Sequence, residues 1–284
     1  MLAELVRAPA ALTVPGDTLV GSSAAGCPFG GVATGALAGS SVLLYWAGMA
    51  LNDYADREVD AVERPGRPIP SGRVSAGAAL ATATVLTAAA IGVAAAAGGR
   101  RALVTTIPLA AVVWAYDLAL KDTPLGAPAM AAARGLDVLV AAGPEGRRAA
   151  APAAAVIAGH TCIVMALSRR EVTGSSHALP EATLAATAAL AAGAAAMPGA
   201  QGRQRAAAAV LLGGYLRTFG GPQFDAIRRP DARRLQRAVG AGILGFIPLQ
   251  AALAGRRRGA AGTALPLLAA LPLARRLSRK VSPT

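Results

Sequence analysis

The sequence predicts an all-α protein, a polytopic membrane helical bundle, and three observations predict it. The 284 residues are 54% hydrophobic and only 15% charged, with a mean hydropathy of +0.48. The apolar residues fall into long stretches separated by brief linkers. The basic residues sit at the ends of those stretches and are unevenly shared between the two sides. Such a composition excludes a disordered chain and argues against an ordinary soluble domain.

A membrane span needs about 20 mainly apolar residues, fewer where helices are short. Candidate spans run over roughly 9–26, 31–51, 76–97, 102–119, 125–142, 150–168, 178–197, 205–220, 238–254 and 260–275. The abundant Ala and Gly let neighbouring helices approach closely. The short linkers predict one domain over 1–284, with every backbone group satisfied inside its own helix. The opening residues, MLAELVRAPAALTVPG, lack a signal-peptide layout, so a mature N-terminus is expected. With the N-terminus and the 52–75 loop placed in the cytoplasm, eighteen Lys and Arg fall on that side and nine on the other, leaving Arg134 inside a span. That asymmetry agrees with the positive-inside rule. It predicts a multi-pass plasma-membrane protein with its active loops in the cytoplasm. The net charge of +13 is then explained by arginines flanking spans, and no nucleic-acid partner is expected. The arginine-rich segment 228–240 reads in the same way, as a turn facing membrane lipid headgroups. Cys27 and Cys162 have no CxxC spacing and read as packed thiols.

The chemistry concentrates in 52–75, NDYADREVDAVERPGRPIPSGRVS, which holds five of the fifteen acidic residues. Asn52, Asp56 and Asp60 are spaced i, i+4, i+8, so a helix continuing through them puts all three on one face, with Asp53 beside the stripe. Carboxylates on one face repel unless a positive charge sits among them. A hard divalent cation such as Mg²⁺ would serve, held by oxygen ligands and substrate phosphates. Arg64, Arg67 and Arg73 follow, on a path bent by Pro65, Pro68, Pro70 and Gly72. Arginine suits bidentate contact with phosphate oxygens. The alternative is a solvated loop that only sets topology.

This string closely resembles the first aspartate-rich motif of the UbiA-type intramembrane prenyltransferases, NDxxDxxxD followed by RPxxSG-like residues. The resemblance extends more weakly over nearly the whole chain. It implies nine helices around a lipid-facing cavity, with Mg²⁺-bound prenyl diphosphate at the cytoplasmic end. It also implies that Asn52, Asp56 and Asp60 are the metal-side residues and that Asp53 accompanies them. The tenth stretch, 260–275, exceeds that pattern. YDLALKDTPLG, with Tyr116, Asp117, Lys121 and Asp122, is similar to the family's YxxxxK-type segment, in which the lysine helps hold diphosphate. Lys121 reads either as that ligand or as a membrane-edge lysine snorkelling to water. Arg134 and Asp137 lie inside a span at i, i+3, and read either as an intrahelical pair or as a substrate contact.

The likeness fails after the sixth stretch. In place of the family's second aspartate-rich motif stands ALSRREVTGSSH, with Arg169, Arg170 and Glu171. Three carboxylates for a second metal are absent from it. Either the arginines neutralise diphosphate directly or the chemistry has changed. The combination of RPGRPIPSGRVS and SRREVTG looks most like the EboC-like branch. His160, within a span, reads as a hydrogen-bonded core residue, and nothing marks His177 as a base.

The expected function is transfer of an isoprenyl group from a prenyl diphosphate to an aromatic or otherwise lipophilic acceptor. Asp56, Asp60 and Lys121 would act on the leaving diphosphate. Asn52, Asp53, Arg67, Arg73, Tyr116, Arg169 and Arg170 would bind it. Tyr54 or Tyr116 could face the allylic cation. The alternatives are a non-catalytic isoprenoid-diphosphate binder or transport component, or a generic multipass scaffold.

Overall fold

The computed structural model describes residues 13–256 and residue 267; the expected stretch 260–275 lies almost wholly outside them, as do residues 9–12. The described residues are helical, without strands. In order they form α1 (Val14–Ala25), α2 (Gly30–Ala55), α3 (Arg57–Glu63), α4 (Ala76–Ala115), α5 (Gly126–Val140), α6 (Gly143–Ser168), α7 (Ala178–Ala196), α8 (Gly202–Tyr215), α9 (Gly221–Arg228) and α10 (Ala232–Ala254). π-Turns at Tyr116–Leu120 and Leu216–Gly220 follow α4 and α8. Five of these helices, Gly30–Ala55, Ala76–Leu120, Gly143–Ser168, Ala178–Ala196 and Ala232–Ala254, are long and apolar enough to cross a membrane. The chain is a multi-pass integral membrane protein with an all-α bundle fold.

Local chemistry sets the helix ends. Ser75 accepts a hydrogen bond from the Ala78 amide and starts α4, and Asp231 does the same for Arg234 at the start of α10. Gly26 takes the left-handed conformation that closes α1. The expected spans 76–97 and 102–119 appear as the two arms of α4, which meet at Gly99 with φ 57° and ψ −148°. Only glycine adopts that backbone readily. The corner folds the arms side by side, and the Trp114 indole N–H reaches Thr87 Oγ1 at 3.0 Å across them.

Polar side chains tie the helices across the bundle, as expected where lipid offers no competing water. Ser40 donates to the Ala90 carbonyl at 2.7 Å and Ser23 to the Ala254 carbonyl at 2.6 Å. The second bond joins the first described helix to the last. α1 lies against α2, α5, α6 and α10. Its Gly21 sits where a Cβ would come within 1.7 Å of the Val138 carbonyl oxygen, so α1 and α5 touch backbone to backbone. His160 is fully buried, bonded to the Tyr215 hydroxyl at 2.9 Å and the Gly242 carbonyl at 3.0 Å, in agreement with a core role. The thiols differ from expectation. Cys27 and Cys162 are both free and exposed, because Cys27 lies in the α1–α2 turn and Cys162 on an outward face of α6.

The close approach at Gly21 predicts that Gly21→Ala destabilises the protein by about 1–3 kcal/mol through overpacking. Gly35→Ala, on an exposed face of α2 with open space around it, should be neutral or slightly stabilising. Thermal unfolding of the purified variants in detergent checks the contrast.

Candidate active site

Four loops gather at one end of the bundle. Lys121, just after the first π-turn, pairs with Asp56 at the end of α2. Arg169, after α6, donates to the Thr123 carbonyl at 2.8 Å. The Ser175 amide donates to the Pro230 carbonyl at 3.0 Å. The 52–75 segment, the Lys121 turn, the SRREVTG turn and the α9–α10 turn therefore share one end.

Helix α2 does not continue smoothly through the aspartates. It ends at Ala55, and Asp56 joins it to α3 with φ −86° and ψ 2°. The i, i+4 backbone bonds nevertheless persist from Asn52 to Asp56, Asp60 and Arg64. The stripe divides in what it contacts. Asp53 and Asp60 are both buried, and the Arg67 guanidinium lies between them at 2.8 and 3.4 Å. Asp56 turns instead to Lys121. The Asn52 side-chain amide donates to Asp117 at 3.3 Å, across the gap to the π-turn that follows α4. Arg73 donates to Ser71 Oγ at 3.0 Å and to the Gly66 carbonyl at 2.8 Å, which braces the 64–73 loop. Arg170 is exposed on the turn beside Arg169.

Asn52, Tyr116 and Asp117 form the polar mouth of a cavity of about 240 Å³. Its walls include Leu44, Met49, Leu109 and Val113, and it extends to Ser41, Arg134 and Asp137. The π-turn brings both Tyr116 and Asp117 to this cavity, as such turns often do at functional positions. Tyr54 is elsewhere, with Arg57 4.7 Å above its ring. Arg134 and Asp137 do not form the intrahelical pair that their spacing allows. Arg134 binds Asp17 of α1 at 2.9 Å and lies 4.1 Å over the Phe246 ring, whereas Asp137 accepts a hydrogen bond from Ser41. The reason is tertiary: α1 places a second carboxylate against the guanidinium.

Asp53, Asp56, Asp60 and Asp117 provide four carboxylates, and Arg67 and Lys121 provide two cations in contact with the first three. The all-oxygen donor set, several carboxylates beside the Asn52 side chain, fits a hard dication such as Mg²⁺. Among the described residues no three acidic or other ligating side chains already converge on one point. At Glu171, burial holds the carboxyl above the usual carboxylate range, opposed by the nearby Arg64 charge.

Sequence reasoning singled out Asp117 in its cluster but not its partnership with Asn52. Asp17, Ser41 and Gln250 were missed. An acidic residue inside a predicted span was the available signal for Asp17; Ser41 carried none.

A helical membrane bundle with a cavity that opens beside a cluster of aspartates, Lys121 and Arg67 is the class that fold and site define. The chain belongs to the UbiA prenyltransferase family, whose model matches residues 16–239. It is 45% identical over 80 residues to a digeranylgeranylglyceryl phosphate synthase of Methanothrix thermoacetophila, which covers 28% of this chain and 30% of that protein. It is 40% identical over 112 residues to the enzyme of the same name from Halobacterium salinarum, covering 39% of this chain and 37% of that protein. The matched segments thus span about a third of the length of these curated relatives. Two solved structures share the fold. A digeranylgeranylglyceryl phosphate synthase superposes with a TM-score of 0.60 at 13% identity, and a UbiA homologue from Aeropyrum pernix K1 with 0.55 at 19%. Each comparison covers 95% of this chain and 98% of the other.

Removing Arg67 would take away the cation that two buried carboxylates, Asp53 and Asp60, share. Arg67→Ala should therefore cost about 3–5 kcal/mol. Arg73→Ala, which removes the exposed loop bonds to Ser71 and Gly66, should cost less than Arg67→Ala. Denaturation of the two variants in matched detergent tests the ranking.

Proposed function

We propose that the protein is a membrane prenyltransferase that moves an isoprenyl group from a prenyl diphosphate to an aromatic or otherwise lipophilic acceptor, with Mg²⁺ as cofactor. The observation that carries this reading is the NDxxDxxxD segment, whose Asp56 pairs with Lys121 and whose Asn52 lines a cavity together with Asp117. Family membership supports it, as does the name of the matched relatives, which denotes an enzyme making an isoprenoid product.

Asn52, Asp56 and Asp60 would hold the metal, with Asp117 facing Asn52. When bound, Mg²⁺ supplies Lewis-acid neutralisation of the leaving diphosphate. Lys121 and Arg67 would release their carboxylates to hold diphosphate oxygens, Lys121 as a point charge and Arg67 as a planar fork. Arg169 stands two residues from Lys121 through its bond to Thr123, close enough to extend the clamp. The carbon–oxygen bond then ionises, with its electron pair leaving on diphosphate. The apolar walls exclude water from the allylic cation, and Tyr116 presents an aromatic ring beside it. The acceptor's nucleophile closes the new bond and loses its proton. The mouth would face the cytoplasm, on the side richer in arginine.

One observation favours a second reading, a non-catalytic binder of isoprenoid diphosphate. The SRREVTG turn offers one carboxylate where the family carries a second aspartate motif. Release of diphosphate from farnesyl or geranylgeranyl diphosphate with Mg²⁺, across a small acceptor panel, separates the two. Tight binding without release would favour the binder.

Asp56→Ala should abolish Mg²⁺-dependent binding of farnesyl diphosphate while the bundle stays folded. Unchanged Mg²⁺ dependence would show that the metal assignment is wrong. If Arg169 and Arg170 take over from a second metal, the double change to Ala should weaken diphosphate binding about ten- to a hundredfold, or about 1.5–3 kcal/mol. The Mg²⁺ titration of the wild type should then fit one binding event. Two ions per substrate would rule the replacement out. For topology, cysteine substituted at Ser75 should be labelled only by reagents that reach the cytoplasm.

A further inference from the structure

The cavity is polar at both ends and mostly apolar between them, where Tyr45 also lines it. Asn52 marks the mouth and Ser41 the far end, three turns away on α2, or about 16 Å at the helical rise. A prenyl diphosphate has one polar end. With its diphosphate at the mouth, its hydrocarbon tail cannot satisfy Ser41, Arg134 and Asp137, and a polar group facing hydrocarbon is costly. The far end is thus built for a second polar group.

The charges there restrict what that group is. Arg134 is already matched by Asp17, which also accepts from the Gln250 side chain at 2.7 Å. Asp137 is a second carboxyl with no cation of its own within ion-pair distance among the described residues; its close partner is the Ser41 hydroxyl. Two carboxyls thus face one guanidinium. A carboxylate or phosphate seated beside Asp137 would be a third acidic group on that one guanidinium in a medium of low dielectric. A neutral hydroxyl adds no charge. It donates to Asp137 or to the Ser41 oxygen, and accepts from Arg134.

We propose that Ser41, Arg134 and Asp137 form an acceptor subsite that holds an uncharged hydroxyl remote from the reacting atom and rejects anionic acceptors. The word acceptor rests on the prenyltransferase reading, but the subsite is tested without turnover. The full chain in nanodiscs, with empty discs as background, is titrated at pH 7 with 4-(2-hydroxyethyl)phenol and with 4-hydroxyphenylacetate. These probes differ in carrying a hydroxyl or a carboxylate at one end. The hydroxyl probe should bind at least tenfold tighter. Ser41→Ala and Asp137→Asn should each weaken it about tenfold. Asp137→Asn should also improve binding of the carboxylate probe, which a merely structural role would not do. Ser41→Ala carries the test if the Asp137 variant fails to fold. Equal affinity for the two probes, or an unchanged hydroxyl affinity in the folded variants, overturns the proposal. Tighter binding of 4-(2-aminoethyl)phenol than of the hydroxyl probe would overturn it in favour of a cationic ligand. Mg²⁺-dependent farnesyl diphosphate binding by wild-type discs reports on the prenyltransferase reading separately.

Discussion

Arg67 lies between Asp53 and Asp60, and much of the structure depends on that contact. Two carboxylates buried at the end of a membrane bundle repel each other and resist leaving water. One guanidinium, 2.8 and 3.4 Å from them, makes their burial tolerable. It also fixes the 64–73 loop against the end of α2. The prolines of RPGRPIPSG bend the chain back so that Arg67 can reach two residues of the helix it has just left. The same rule governs the interior, where Arg134 answers Asp17 and Gln250 completes the set. Charges occur in this bundle where another element answers them.

That rule shapes the cavity. Its mouth gathers oxygen donors and cations from segments far apart in sequence: Asn52, Tyr116 and Asp117, with Asp56 and Lys121 paired nearby. Its walls are mostly apolar, and its far end is polar again.

The chain departs from its family where a second set of carboxylates would stand. SRREVTG folds over the Lys121 turn through Arg169 and Thr123, so positive charge approaches the mouth from the side where negative charge would be expected. A fixed guanidinium and a bound metal ion both neutralise diphosphate, but only the metal can be removed by chelation.

The sequence by itself determined the membrane bundle, the helix positions and the motif end. Apolar stretches of span length have few alternatives in lipid, and the expected stretches from 31–51 to 238–254 correspond to the helices found, with 76–97 and 102–119 joined at Gly99. The i, i+4, i+8 spacing located the aspartates because a helix converts spacing into a shared face. Pairing was not legible. Asp53 and Asp60 share Arg67 while Asp56 takes Lys121, and Arg134 chooses Asp17 over Asp137 three residues away. A charge in low dielectric takes the partner that tertiary packing brings nearest, and sequence spacing does not contain that distance. Ser41 had no signal of its own; only the packing of α2 against α5, which sets its hydroxyl on Asp137 at the end of a cavity, made it part of a site.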